Sequence, residues 1–492
     1  MAQRRVRLRA AHEGAPSGPL DSAFTRVREQ LGVPAGFPDD VLAAADEAAR
    51  APQLPDDDLT DLPFFTLDPP GARDLDQAMH LESDGAGHRI RYAIADLTAF
   101  VEPGGPVDRE ARRRGQTIYC PDLAVPMHPP VLSHDAASLL PGQVRPAFVW
   151  DLRLDGEGEV RSADVRRALV RSREQLDYAA VQAAIDSGST DERFRLLRQV
   201  GERRLRLEQE RGGASLPLPE QEVVQDDDHY LLRLRPPSQV EDWNAQVSLL
   251  TGMAAADMML AADIGILRTL PAPPGETLVR FHRQAAALGA RWPAEMLYGE
   301  FLRSLDRNDP RQLALIHEAT VLFRGAGYTA FEGDLPDVVE HAALAAEYAH
   351  VTAPLRRLVD RFALVVCASL CRDEEVPAWV REALPTLPGL MVSSDRVASA
   401  VERACTDVVE AAVLGSRVGE ELAAVVVDVR SNGAGGAAGG VGDRGVVQLL
   451  DPPVVAPVTG PVRLGADIRV RVDGADLQAG TVRLVPVDLP HG

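Results

Sequence analysis

Lysine is absent from this 492-residue chain, so all 52 of its cationic Lys/Arg positions are arginine. An all-arginine basic set points to a GC-rich coding sequence and a bacterial source. Acidic residues outnumber them at 73, for a net charge of 52 − 73 = −21. A surface of that sign argues against broad, non-specific coating of nucleic acid, while a basic channel inside an acidic shell stays open. Cysteine is scarce: Cys120, Cys367, Cys371 and Cys405 form no C-x-x-C pair. Cys367 and Cys371 stand four apart in FALVVCASLC, a spacing that puts both on one helix face as small hydrophobes. Zinc and disulfide roles are the alternatives for the cysteines. No apolar run reaches the roughly 18 to 20 residues that span a bilayer. The N-terminal MAQRRVRLRAAHEGAPSG is basic with no apolar core behind it, unlike a secretory signal. A cytoplasmic protein without a membrane partner is expected. Neither an internal repeat nor an oligomerisation signal is evident, so a monomer is expected.

What is present reads as a globular chain, 45% hydrophobic and 25% charged, long enough for two to four units. The expected fold class is α+β, in three stretches. Residues 1–60 form an N-terminal extension, expected to be disordered over 1 to about 20, where it is basic and then Gly/Pro/Ser-rich, and helical after that through VREQLGV and VLAAADEAA. Strand signals dominate from 61 to about 175, beginning with Leu62–Leu67 and including a hairpin through the DGEG turn. A helical pattern follows from about 176 to 415, through QLDYAAVQAAI, VEDWNAQVSLLTGMAAADMMLAADIGIL and the alanine-rich 341–372. Short strands return over 416–490, a length that suits a small β-barrel, around a Gly/Ala-rich insert at Asn432–Gly442.

The segment FFTLDPPGARDLDQAMHLE places Asp68 at a strand end, a Pro-Pro-Gly turn, then Asp74 and Asp76. A turn between acids can fold them toward one point. Carboxylates gathered there raise one another's pKa unless a cation intervenes. Mg accepts carboxylate oxygens and keeps waters or phosphate oxygens as its other ligands. It can activate a water and steady the leaving oxygen of a phosphodiester. Taken alone, the D-x5-D-x-D spacing is equally well a solvated turn, since turns are rich in aspartate.

The blocks around it resemble, in order, the RNB catalytic domain of the ribonuclease II family. TLDPPGARDLDQA resembles the family's T-I-D-P-x-x-A-x-D-x-D-D-A. YAIADLTAFVEPGGPVDREARRRGQTIYCPDLAVPMHPPVLSHDAASLLPG, RSREQLDYAAV, VEDWNAQVSLLTGMAAADMML and EHAALAAEYAHVTAPLRRLVDRF follow. The resemblance covers roughly 61–413 and implies an RNB catalytic domain there, of mixed sheets surrounded by helices. It implies an OB-fold RNA-binding barrel over 416–490. It also implies hydrolytic 3′-to-5′ degradation of single-stranded RNA from a free 3′ end, with nucleoside 5′-monophosphates released by Mg-activated water, Mn being a possible substitute. Asp68, Asp74 and Asp76 match the metal-binding and catalytic aspartates, and hydrolysis depends most on the one at Asp76. Gln77 stands where the family has a fourth acid; its amide oxygen can still ligate Mg, with one negative charge fewer. Arg356 in TAPLRRLVD matches the arginine that grips a phosphate beside the scissile bond, and its neighbour Arg357 is expected in the same channel. A plain helix ion pair with Asp360 is the alternative for Arg356. Tyr119 matches a base-stacking aromatic, while Tyr178 and Glu241 match a pair that senses the ribose 2′-hydroxyl. His341, His350 and Asp96 are expected in structural roles.

Two departures stand out. GASLPLPE, residues 213–220, has no aromatic where the family places its second stacking ring. Only about 60 residues precede the acidic motif, too few for the family's two N-terminal cold-shock barrels, which implies a short form. Two rival functions follow: a catalytically weak or inactive RNA-binding protein that keeps the fold, and a phosphodiesterase acting on DNA or very short oligonucleotides.

Overall fold

The computed structural model describes residues 6–9, 19–214, 216, 218–226, 229–307, 309–430 and 441–487. Most of the expected Gly/Ala-rich loop, 431–440, lies outside the described residues. Two closed five-stranded barrels organise the chain. The first is built from Phe64–Asp68, Gln77–Asp84, Gly87–Ala95, Val144–Leu154 and Val160–Asp177. The strands foreseen in the sequence therefore close on themselves, with Phe64–Asp68 pairing parallel to Val160–Asp177 and antiparallel to Gln77–Asp84.

Strand side chains alternate between two faces, and here the two faces differ in size. Phe65, Leu67, Met79, Tyr92, Phe148, Trp150 and Val165 join one core. Their neighbours Phe64, Ala78, Ala93, Ala95, Ala147, Val149 and Ala168 join another. The bulky face packs with the helices Gln239–Ala261 and Leu358–Cys371. The small face meets the helix Asp39–Arg50 and the segment around Leu132. The turn foreseen at DGEG joins Val144–Leu154 to Val160–Asp177 as a hairpin.

The second barrel contains Glu421–Arg430, Val441–Leu449, Val455–Arg463, Asp467–Asp476 and Thr481–Pro486. Its interior valines share one apolar cluster with Leu20, Phe24 and Val27 of the helix Pro19–Gln30, and with Val401, Val408 and Val409 of the helix Leu387–Gly415. Cys367 and Cys371 both lie in Leu358–Cys371, and all four cysteines are free. No described helix is long and apolar enough to cross a membrane.

Three stretches expected as helix differ. The helix through VEDWNAQVSLL stops at Ala261; after Asp263, at φ 55°, Ile264–Thr269 becomes a strand paired with Gly327–Glu332. Residues 341–357 are short strands and turns, and the helix of that block starts only at Leu358. Glu220–Asp226 and His229–Arg235 form a hairpin, and Val6–Arg9 adds to it in parallel, a strand where the sequence reads as disordered. In each case a partner strand or a buried cap supplies hydrogen bonds that helical spacing alone does not reveal.

Candidate active site

Asp68 is the last residue of its strand and stands opposite Asp177, which ends the neighbouring strand. After the Pro69–Gly71 turn, the chain from Ala72 to Asp76 belongs to no strand or helix and is pinned from both sides. Gln175 donates to Ala72 O at 2.8 Å, and Ser138 Oγ donates to Arg73 O at 2.6 Å while accepting from Leu75 N at 3.0 Å. Leu75 is buried in the small-residue core. The Asp74 charge acts on both Asp68 and Asp76. Spacing and packing thus bring all three acids to one end of the first barrel.

The acids are not equivalent. Asp68 Oδ2 is shielded from solvent and has no hydrogen-bond partner. Burial pushes the Asp68 carboxyl up to about 7, against the pull of Arg356 and with the nearby Asp74 charge adding to the rise. Asp76 is 2% exposed; burial pushes it up to about 8, although Arg356 and the Leu355 amide favour its charge. Its Oδ1 accepts from Leu355 N at 2.8 Å, and its Oδ2 lies 3.2 Å from Arg356 Nε. That second contact is a charge contact without hydrogen-bond alignment, since the Nε–H counts as unpaired. Asp74 Oδ2 accepts from the hydroxyl of Tyr119 at 3.2 Å, while the tyrosine itself is 52% exposed.

Arg356 lies in the turn before Leu358–Cys371. Asp360, fully buried in that helix's first turn, accepts from Ala353 N at 2.7 Å and from Arg357 through both carboxylate oxygens at 2.7 and 2.9 Å. The i+4 pairing of Arg356 with Asp360 is therefore not formed: Arg357 takes Asp360, and Arg356 reaches Asp76. The same turn is knitted to the Tyr119 segment by Thr117 N to Arg356 O and Leu358 N to Gly115 O, both 2.9 Å. Asp68, Asp74, Asp76, Arg356 and Tyr119 thus form one connected site. Arg357 is tied into its supporting frame.

Gln77 opens the next strand and donates its amide N–H to the Thr352 carbonyl. Tyr178 is the first residue of its helix, beside the end of the Asp68 strand. Its hydroxyl accepts from Asn244 Nδ2 at 3.0 Å. Glu241, the expected partner of Tyr178, closes a capping box with Ser238 and takes Arg235 through both oxygens at 3.0 Å. Asn244 was missed in the sequence; its place three residues after Glu241 on one helix was the available signal. His350 Nδ1 meets the Tyr328 hydroxyl at 2.8 Å. Asp96 caps Thr98 N at 2.8 Å and binds Arg167 at 2.6 Å. Both contacts are structural.

Among the described residues, no three acidic, histidine or cysteine side chains converge closely enough to hold a metal ion by themselves. The reason is visible: Asp76 turns toward Leu355 and Arg356, and Gln77 toward Thr352. Mg does not need such a cage, because one or two carboxylates plus substrate phosphate and water satisfy it. The unpaired, desolvated oxygen of Asp68, within electrostatic reach of Asp74, fits that mode.

A closed barrel carrying acids and an arginine at one end, followed by a second five-stranded barrel, defines the class. The RNB domain family model matches residues 56–369, and the RNase II-type exonuclease C-terminal S1 domain matches 420–487. The chain belongs to the RNB-domain family. It is 30% identical over 334 residues to ribonuclease R of Escherichia coli, an alignment covering 64% of this chain and 40% of that protein. Its fold matches Mycoplasma genitalium RNase R, solved in complex with ribose-methylated single-stranded RNA, at TM-score 0.81 and 17% identity, over 95% of this chain and 78% of that one. It also matches yeast Ssd1, described as a pseudonuclease, at TM-score 0.65 and 17% identity, over 85% of this chain and 53% of that one.

Proposed function

We propose that this protein is a hydrolytic 3′-to-5′ exoribonuclease that degrades single-stranded RNA to nucleoside 5′-monophosphates with Mg, or Mn, as cofactor. The observation that carries the proposal is the pairing, at one barrel end, of an unpartnered buried carboxylate at Asp68 with a guanidinium held against Asp76. Asp68 and Asp74 would hold the ion, which supplies charge neutralisation and water activation when bound. Asp76 orients the turn through Leu355 N and, in its ionised form, holds the Arg356 guanidinium by charge. Arg356, 36% exposed, has further N–H donors for a phosphate oxygen, where charge develops as the bond breaks. Tyr119 presents an exposed ring on which a base can stack regardless of sequence. Its hydroxyl meanwhile restrains Asp74. Tyr178 with Asn244 reads the ribose 2′-hydroxyl, and Glu241 serves by fixing the start of the helix that carries Asn244. Arg357 supports the turn from behind.

Competition between RNA and DNA oligomers of one sequence tests the substrate class. Preferential degradation of RNA, with the preference reduced in Tyr178→Phe, is expected. Equal degradation of DNA would favour the phosphodiesterase alternative.

One observation favours a second reading, an RNA-binding protein that keeps the fold without turnover. Gln77 removes one acid, and the remaining three do not close on a common point. Binding of RNA with no cleavage in Mg or Mn would select it.

A further inference from the structure

Thr352 is a junction of three elements. It is 2% exposed. Its hydroxyl shares a 2.8 Å hydrogen bond with Ser248 Oγ, from the helix Gln239–Ala261. Its carbonyl accepts from the Gln77 amide, at the start of the barrel strand Gln77–Asp84. Three residues on, Leu355 N donates to Asp76 Oδ1 at 2.8 Å, and Arg356 Nε follows at 3.2 Å from Asp76 Oδ2. The consecutive pair Asp76-Gln77 thus grips both ends of the Thr352–Arg356 turn, while Asp360 holds its middle through Ala353 N.

The chemistry of that grip separates the two residues. Leu355 N is a donor and needs an acceptor, which the Asp76 carboxylate provides. Thr352 O is a buried acceptor and needs a donor, and an ionised carboxylate has none to give. A second acid at position 77 would set negative charge against carbonyl lone pairs; the glutamine amide answers them. One acid followed by one amide therefore satisfies both groups of this turn.

We propose that Gln77 is a positioning residue: its amide N–H fixes the Thr352 carbonyl and so sets the reach of Arg356, and Gln77 is not a metal ligand. The kinetic consequence rests on the exoribonuclease reading, whereas the structural consequence does not. The missing fourth acid is on this view an exchange of one metal-facing charge for a hydrogen bond that builds the arginine turn.

The test uses the full chain carrying Gln77→Met or Gln77→Glu. It combines amide hydrogen exchange across 350–358 with calorimetric Mn²⁺ binding. Both variants should exchange in that segment at least about tenfold faster than wild type, with the barrel strands unchanged. The Met variant should keep its Mn²⁺ Kd within about threefold. In turnover, kcat should fall about tenfold with RNA affinity retained, and Gln77→Met should add nothing to Arg356→Gln, because both act through the arginine. Unchanged protection in both variants would overturn the proposal. So would a tenfold or larger loss of Mn²⁺ affinity in the Met variant, or kinetic losses that add to those of Arg356→Gln. If Gln77→Met fails to fold, Gln77→Asn, which keeps the amide but is too short to reach, takes its place under the same criteria. Wild type without Mn²⁺ binding or turnover would count against the metal-dependent reading alone, and the exchange result would still decide the role of Gln77.

Discussion

Asp68 and Asp76 are the residues whose environment departs furthest from that of an ordinary aspartate. Burial raises both, to about 7 and about 8, so each binds its proton more tightly folded than unfolded. Stability from such a group is complete below the unfolded pKa and is lost as pH rises through the folded one. For Asp68 the window runs from the ordinary 3.8 to about 7. In metal-free protein, Asp68→Asn should match wild type near pH 4 and exceed it in thermal stability near pH 8. Mg should narrow that gap at the higher pH by stabilising wild type preferentially. Equal pH dependence in the two proteins would show that the Asp68 carboxylate is not desolvated. The three aspartates and Arg356 stood out in the sequence only through the ordered blocks that resemble the RNB family, since the D-x5-D-x-D spacing alone fits a solvated turn equally well. The partners of Glu241 were not, because Arg235 reaches it by way of a hairpin whose pattern lay inside a stretch read as helix.

Among the elements, the start of Leu358–Cys371 bears most directly on the site. Asp360 is fully buried and satisfies both Ala353 N and Arg357. Asp360→Ala leaves a buried N–H and a guanidinium without their acceptor. It should cost about 3 kcal/mol, the low end for breaking a buried pair, because Arg357 keeps some water access. Urea unfolding measures this, and a loss below about 1 kcal/mol would mean that the turn does not depend on Asp360. The helices themselves were legible from spacing; their ends were less so. Ala262-Asp263-Ile264 continues an apolar pattern that fits helix or strand, and only the partner Gly327–Glu332 decides it. The alanines of 341–349 likewise read as helix. Yet Ala349 N bonds to Gly252 O at 3.0 Å, and a Cβ at Gly252 would lie 2.1 Å from the Tyr348 ring. That close approach is invisible to periodicity.

At the scale of the molecule, the second barrel is not a tethered accessory. Its valines share a core with the helices Pro19–Gln30 and Leu387–Gly415, and Val425 and Val427 join the cluster of Phe281 and Phe301. Unfolding should therefore be cooperative across the expected boundary near 416, with barrel and catalytic probes giving coincident urea transitions. Two separated transitions would show that the barrels are independent. The two barrels were legible only in part: strand count and turns gave the second, while closure of the first depends on a parallel pairing between residues more than 100 positions apart, Asp68 with Asp177.

A gel assay on 5′-labelled single-stranded RNA, with and without Mg, run beside Asp76→Asn, tests the central claim most directly. The expected result is a ladder shortening from the 3′ end to a short final fragment, seen only with Mg. The variant should bind RNA but cleave at least roughly 10²-fold more slowly, the scale of losing one preorganised electrostatic group. RNA binding without any shortening in wild type, or near-full activity in Asp76→Asn, would contradict it.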